Sequence, residues 1–216
     1  QVVILGGTIM GEIRNVIFDF GGVLINITRN RWIEAFKNLG VSSIWENMMS
    51  PSYQHKELYM QLELGNISTA AFRAGIRRLT TKEITDEEID NAWISMLGEI
   101  ADYKLDLLLK LREKYHICLL SNTNILHWEW AEKNSFVYHN HKAEDFFDRI
   151  YLSYKLHMQK PDLEIFQYVL EDAGMKAEET LFLDDALVNC RAAEKLGIRT
   201  YTPEADEDWS HVFENL

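Results

Sequence analysis

The sequence predicts an α/β fold: a parallel sheet with helices on both faces, and a helical insert after the first strand. Three observations carry this. First, apolar runs of strand length recur along the chain, at Val16-Ile17-Phe18, Ile117–Leu120, Ile150–Leu152 and Leu181–Leu183, with Ile198–Tyr201 as a last strand. Runs that are apolar throughout suit strands covered on both faces, as in a parallel sheet. Second, amphipathic stretches follow most of these runs, and strand–helix alternation is the pattern of such a sheet. Third, the rhythm breaks between about Thr28 and Gly98, where helical patterns recur and no good strand is visible.

In chain order, residues 1–11 read as an N-terminal extension or an edge strand. Met10 is a candidate translation start, and Val2–Leu5 is too short and lacks the basic flank of a signal peptide. Within the insert, Trp32, Ala35, Phe36 and Leu39 recur at helical spacing and stop at Gly40. Ser68–Leu79 is a second helix. Thr85 with Glu88 three residues later forms a capping box that opens a third. The ends of the insert adjoin the loop after the first strand, so it sits over that loop as a lid. The expected division is a core of 12–27 and 99–216 and a cap of 28–98. In the core, Leu105–Tyr115 is helical, Asp162–Ala173 stops at Gly174, and Leu187–Leu196 ends at Gly197. Trp128–Asp148 reads as a helix followed by a long loop.

A chain of 216 residues buries about 70% of its unfolded surface and needs no disulfide or metal to fold. The net charge of -12 argues against nucleic acid, whose phosphates need a basic face. It leaves room for a small phosphorylated metabolite in a locally positive pocket. No apolar stretch approaches a membrane span, so no membrane partner is expected. Two cysteines, Cys118 and Cys190, make no disulfide framework and suit a reducing cytoplasm.

Four segments carry chemistry, and each has a bland reading beside the functional one. Asp19 ends a buried strand and is followed by Phe20-Gly21-Gly22. A strand's carboxyl end faces the ligand crevice of an open parallel sheet, and glycines admit an anion or metal close to the backbone; the alternative is an ordinary strand-end turn. Ser121-Asn122-Thr123-Asn124 ends another strand. It offers a hydroxyl and N–H groups to a phosphate, or simply caps a helix. Lys160-Pro161 precedes a helix and places a cation for a phosphoryl group, or a solvated loop lysine. Asp184-Asp185 follows Leu181-Phe182-Leu183. Clustered oxygens suit Mg²⁺; the alternative is acids placed for the next helix dipole.

Taken together and in this order, Asp-x-x-Gly-Val, Ser-Asn-Thr-Asn, Lys-Pro and Phe-Leu-Asp-Asp-x-x-x-Asn resemble the four signature motifs of the haloacid dehalogenase-like superfamily. The resemblance runs from about Ile13 to the C-terminus. It is greatest to bacterial alpha-D-glucose-1-phosphate phosphatases and to the phosphatase domain of soluble epoxide hydrolases, the first through Leu119–Asn124 with Leu126-His127 and through Ile150–Ser153 with Met158 and Lys160-Pro161. It implies a Rossmann-like three-layer core with a helical cap inserted after the first strand. It also implies an Mg²⁺-dependent phosphatase working through an aspartyl-phosphate on Asp19. By resemblance, Ser121 and Asn122 hold the phosphoryl oxygens and Lys160 stabilises charge there. Asp185 is the main carboxylate ligand of the metal, with Asp184 beside it, and Asp19 and the Gly21 carbonyl complete the set. Asn189 orients the acidic pair.

One position departs from the pattern. Phosphatases of this superfamily usually carry a second aspartate two residues after the nucleophile, as general acid and base; here that position is Gly21. The loss is worth about 10²–10⁴-fold, so three readings stand: a substrate with a good leaving group, another donor such as a cap residue or water, or a weak enzyme or binding relic. The first favours an anomeric sugar 1-phosphate. Other classes are a 2-haloacid dehalogenase, which needs no metal, and a non-catalytic phospholigand-binding protein. Arg31 or Asn30 is expected to face the substrate, the alternative being a solvated helix start. Tyr53, His55, Trp128, Trp130 and His157 read as packing or rim residues.

Overall fold

The computed structural model describes residues 12–41, 54–205 and 207–214; the N-terminal readings and Tyr53 lie outside them. A five-stranded parallel sheet is built from β1 (Asn15–Phe18), β4 (His116–Ser121), β5 (Arg149–Leu152), β6 (Thr180–Leu183) and β7 (Arg199–Tyr201), in spatial order β5-β4-β1-β6-β7. β1 lies at the centre, with Phe18 in register with Leu119 on one side and Leu183 on the other. Asp19, Ser121 and Asp184 therefore leave the same edge of the sheet.

Side chains alternate across a strand, and the packing follows that alternation. Val16, Phe18, Leu119 and Leu183 point into one layer, against Leu105 and Leu108 of α5 (Asp102–Arg112) and Trp128 of α6 (Ile125–Asn134). Ile17, Cys118, Leu120 and Phe182 point into the other, against Phe166 and Val169 of α9 (Leu163–Asp172) and Ala192 and Ala193 of α10 (Leu187–Glu194). The result is the expected three-layer α/β core. The stretch read as a long loop after α6 includes a short helix, α7 (Ala143–Phe146), whose Phe146 packs on Phe136. A further one-turn helix, α8 (Ser153–Leu156), follows β5.

The insert contributes α1 (Arg29–Asn38), α2 (Gln54–Glu63), α3 (Thr69–Arg77) and α4 (Asp86–Ile94). Thr85 and Glu88 make the expected capping box at the start of α4. These helices bury an apolar centre of their own around Trp32, Phe36, Phe72, Ile76 and Trp93. Within residues 28–98 the regular structure of the described insert is helical except at Leu97-Gly98, which open a strand that runs on into the core. β2 (Ile25–Ile27) and β3 (Leu97–Ile100) pair antiparallel and form a neck between cap and core. The boundary drawn between residues 98 and 99 falls inside β3. A three-residue strand whose ladder partner lies about seventy residues away leaves no run long enough for its period to be read.

Candidate active site

The carboxyl ends of β1 and β6 and the loop before α9 put three acids and one lysine together. Lys160 is buried, and its ammonium lies 2.8 Å from Asp19 Oδ1 and 2.6 Å from Asp184 Oδ2. It also donates to the Leu120 carbonyl at 3.0 Å, so its three N–H donors are all engaged. Asp19 Oδ1 additionally accepts from the Phe20 N–H at 2.7 Å. Asp184 is fully buried and accepts from the Ala186 N–H at 2.8 Å and the Asn189 amide at 3.0 Å. Asp185 is exposed on the same rim. Oxygens of Asp19, Asp184 and Asp185 all lie within 4.8 Å of one another.

The charges explain the titration. Burial, reinforced by the charge of Asp184, pushes Asp19 up to about 7 against the pull of Lys160. Burial also raises Asp185, with Asp184 adding to it. Burial works to lower Lys160, but Asp19 and Asp184 outweigh it and raise its pKa. Within the cluster one ammonium is set against three carboxylates, with Arg29 acting on Asp185 from the cleft wall. An all-oxygen cluster with this charge imbalance fits a hard divalent cation that keeps waters and takes one or two carboxylates, as Mg²⁺ does.

A cleft of about 390 Å³ opens above this cluster. Ser121, Asn122, Gly21 and Asn189 line it. Asn122 has a further use: its side chain exchanges two hydrogen bonds with the main chain of Lys160, at 2.8 and 2.9 Å. Arg31 is not part of the cleft. It lies with Asn30 in a separate surface recess on α1, so the expectation that it meets substrate is corrected. Arg29 lines the cleft instead, with Trp32, Tyr59 and Glu63. The signal was present: Arg29, Trp32 and Phe36 stand at i, i+3 and i+7 on one helix face, whereas Arg31 is turned about 200° from Arg29. Trp128 is core, packed on Phe20, and His157 holds the cap through the Leu64 carbonyl.

Comparison with known proteins bears on this geometry. A family model described as haloacid dehalogenase-like hydrolase matches residues 13–197, and the chain belongs to that family. A D-ribitol-5-phosphate phosphatase of Bacteroides thetaiotaomicron is 37% identical over 197 residues, covering 91% of this chain and 95% of the relative. A HAD family enzyme of Bacteroides thetaiotaomicron, solved with magnesium and inorganic phosphate, is 52% identical with a TM-score of 0.88, covering 93% of this chain and 99% of that one. A predicted HAD-like family hydrolase of Porphyromonas gingivalis is 39% identical with a TM-score of 0.85, covering 94% and 96%. The protein is a HAD-like phosphatase, and Mg²⁺ is its cofactor. Among the described residues, no helix is long and apolar enough to cross a membrane.

Proposed function

We propose that the chain hydrolyses a small sugar or polyol phosphate, a sugar 1-phosphate among the candidates, through an aspartyl-phosphate on Asp19. The observation that carries this is the Lys160-centred carboxylate cluster at the floor of a small cleft walled by the cap. Lys160 and the Phe20 N–H both grip Asp19 Oδ1, so Oδ2 is the oxygen that attacks. In the first step the Oδ2–P bond forms and the ester P–O bond breaks. In the second, water attacks phosphorus, the Oδ2–P bond breaks, and inorganic phosphate leaves. Ser121 and the main chain at Asn122 hold the phosphoryl oxygens, while Lys160 favours the ionised form of Asp19 and aligns it. Asp19, Asp185, Asp184 and the Gly21 carbonyl would hold Mg²⁺, which when bound neutralises charge on the phosphoryl group.

The name of the Bacteroides relative, D-ribitol-5-phosphate phosphatase, adds a linear polyol phosphate to the candidates. Arg29 and Tyr59 offer hydrogen bonds to the hydroxyls of either kind of substrate, and the cleft volume sits at the small end of ligand pockets, about 300–1,000 Å³. Two buried free thiols, Cys118 and Cys190, suit a cytoplasmic setting.

The test is phosphate release from a panel of sugar 1-phosphates, pentitol 5-phosphates and nucleotides, with wild type and Asp19→Asn. Wild type turns over the small esters, and Asp19→Asn loses more than about 10³-fold while keeping its melting curve. Retained turnover in folded Asp19→Asn excludes the covalent route.

A further inference from the structure

The cap brings a carboxyl of its own to the cleft. Glu63 is the last residue of α2, buried at 8% exposure. It lines the cleft that holds Asp19 and Lys160, and its carboxylate hydrogen-bonds the Tyr59 hydroxyl one turn earlier. The end of α2 is fixed to the core at three points. The Glu63 carbonyl accepts from Ser153 Oγ at 2.7 Å, and the same hydroxyl accepts from the Thr123 N–H at 2.9 Å. The Leu64 carbonyl bonds His157 Nδ1 at 2.7 Å. Gly65, at φ +67°, lies so close to the Tyr154 carbonyl oxygen that a Cβ would collide with it. The anchors Thr123 and His157 belong to the loops that carry Ser121 and Lys160, so this carboxyl is held in register with the phosphoryl site.

The nucleophile loop lacks a proton donor, because Gly21 has no side chain. Glu63 has the character that loop lacks. Burial pushes its pKa up to about 7, against the Tyr59 hydroxyl and the charge of Lys160. Arg29 acts on Tyr59, and the His157 ring bonds the Leu64 carbonyl one residue on. A carboxyl poised near neutrality serves in both protonation states, as general acid–base catalysis requires.

Resting on the phosphatase reading above, we propose that Glu63 is the general acid–base, donated by the cap in place of the acid missing at Gly21. As Asp19 Oδ2 bonds to phosphorus and the ester P–O bond breaks, the Glu63 Oε–H proton passes to the departing alkoxide oxygen. In the second step the Glu63 carboxylate takes a proton from the water whose oxygen bonds to phosphorus. The Asp19–P bond breaks, and phosphate leaves with the enzyme restored. The donor's location in the cap means that turnover of poor leaving groups requires the cap seated on the core.

The experiment compares Mg²⁺-loaded wild type and Glu63→Gln in single turnover on p-nitrophenyl phosphate and on a primary alkyl ester, ribitol 5-phosphate or glycerol phosphate. Glu63→Gln is expected to slow the alkyl esters about 10²–10⁴-fold and the aryl ester less than about tenfold. Gly21→Asp in the Glu63→Gln background is expected to recover part of the alkyl rate. Equal losses on both ester types, or no loss on the alkyl ester, overturn the proposal. A wild-type rate that falls steeply with leaving-group basicity also overturns it, and needs no variant. A wild type inert to every ester brings down the phosphatase reading itself, a different result from an active wild type indifferent to Glu63.

Discussion

Asn122 and Lys160 are joined by two reciprocal hydrogen bonds: the Asn122 amide donates to the Lys160 carbonyl at 2.8 Å, and the Lys160 N–H donates to Asn122 Oδ1 at 2.9 Å. The pair ties the loop after β4 to the loop before α9. It sets where the lysine backbone sits, and so where the ammonium meets Asp19. Asn122→Ala removes both bonds and strands the Lys160 N–H in a partly buried place. We expect a stability loss of about 1–3 kcal/mol in urea unfolding and a lower kcat with KM little changed. An unchanged kcat in a folded variant excludes the strut.

The two adjacent acids separate by their surroundings. Asp184 is buried between Lys160 and Asn189, so Asp184→Asn breaks a buried ion pair and costs about 3–5 kcal/mol. Asp185 is exposed, so Asp185→Asn leaves the fold intact and weakens the cation. Excess Mg²⁺ at about 100 times its Kd stabilises wild type by about 2.7 kcal/mol. That gain shrinks in Asp185→Asn, as read by melting with and without chelator. An Asp185→Asn variant with the full Mg²⁺ gain places the metal elsewhere.

Much of this was legible before any coordinates. β1, β4 and β6 each carry an apolar run, Val16–Phe18, Ile117–Leu120 and Leu181–Leu183, because both faces are covered, so the residues Asp19, Ser121 and Asp184 that follow these runs could be placed by pattern alone. The Thr85–Glu88 box was legible because it is a local hydrogen-bond exchange. What escaped depends on distant pairing. β2 finds its partner only when the cap closes back on the core. Glu63 sits between Leu62 and Leu64 and reads as a solvated helical acid; only the Ser153, Tyr154 and His157 contacts bring it to the cleft. Arg29 was missed by helix phase, which Trp32 and Phe36 fix.

His127 gives the fold a pH dependence. Its Nε2–H donates to the Trp93 carbonyl at 2.9 Å, its Nδ1 accepts from the Asn124 amide at 3.2 Å, and its ring stacks on Trp93 at 5.2 Å. Burial lowers its pKa to about 4, so between that value and the ordinary value of about 6.5 the unfolded chain binds a proton that the folded chain refuses. Stability is therefore lost as pH falls through this window, by about 3 kcal/mol in all. Asp19 and Glu63, both raised to about 7, act with the opposite sign but are common to wild type and a His127→Gln variant. The difference between the two urea-unfolding profiles from pH 7 to pH 4 isolates His127. Parallel profiles rule out its role.

The two glycines after the nucleophile are predicted to behave differently. Gly22 has φ +76°, and a Cβ there would run into the Asp185 carboxylate. Gly22→Ala thus imposes a left-handed conformation on an L residue, at about 1–2 kcal/mol, and displaces Asp185 from the cluster. Gly21 has neither restriction: its nearest neighbour to an added Cβ is Ile27 Cγ1 at 3.5 Å, an ordinary contact. Gly21→Ala should keep the fold and gain about 0.4–1 kcal/mol from a less flexible unfolded chain, with its Mg²⁺ response intact, because the carbonyl expected to face the metal belongs to the backbone. Melting curves and Mg²⁺ titrations of the two alanine variants check this, with Gly22→Ala expected to need at least about tenfold more Mg²⁺, the equivalent of about 1.4 kcal/mol. Equal damage from both would mean that the backbone at Gly21 is constrained by the cation or the phosphoryl group, and that the glycine stands there for space rather than in place of a lost acid.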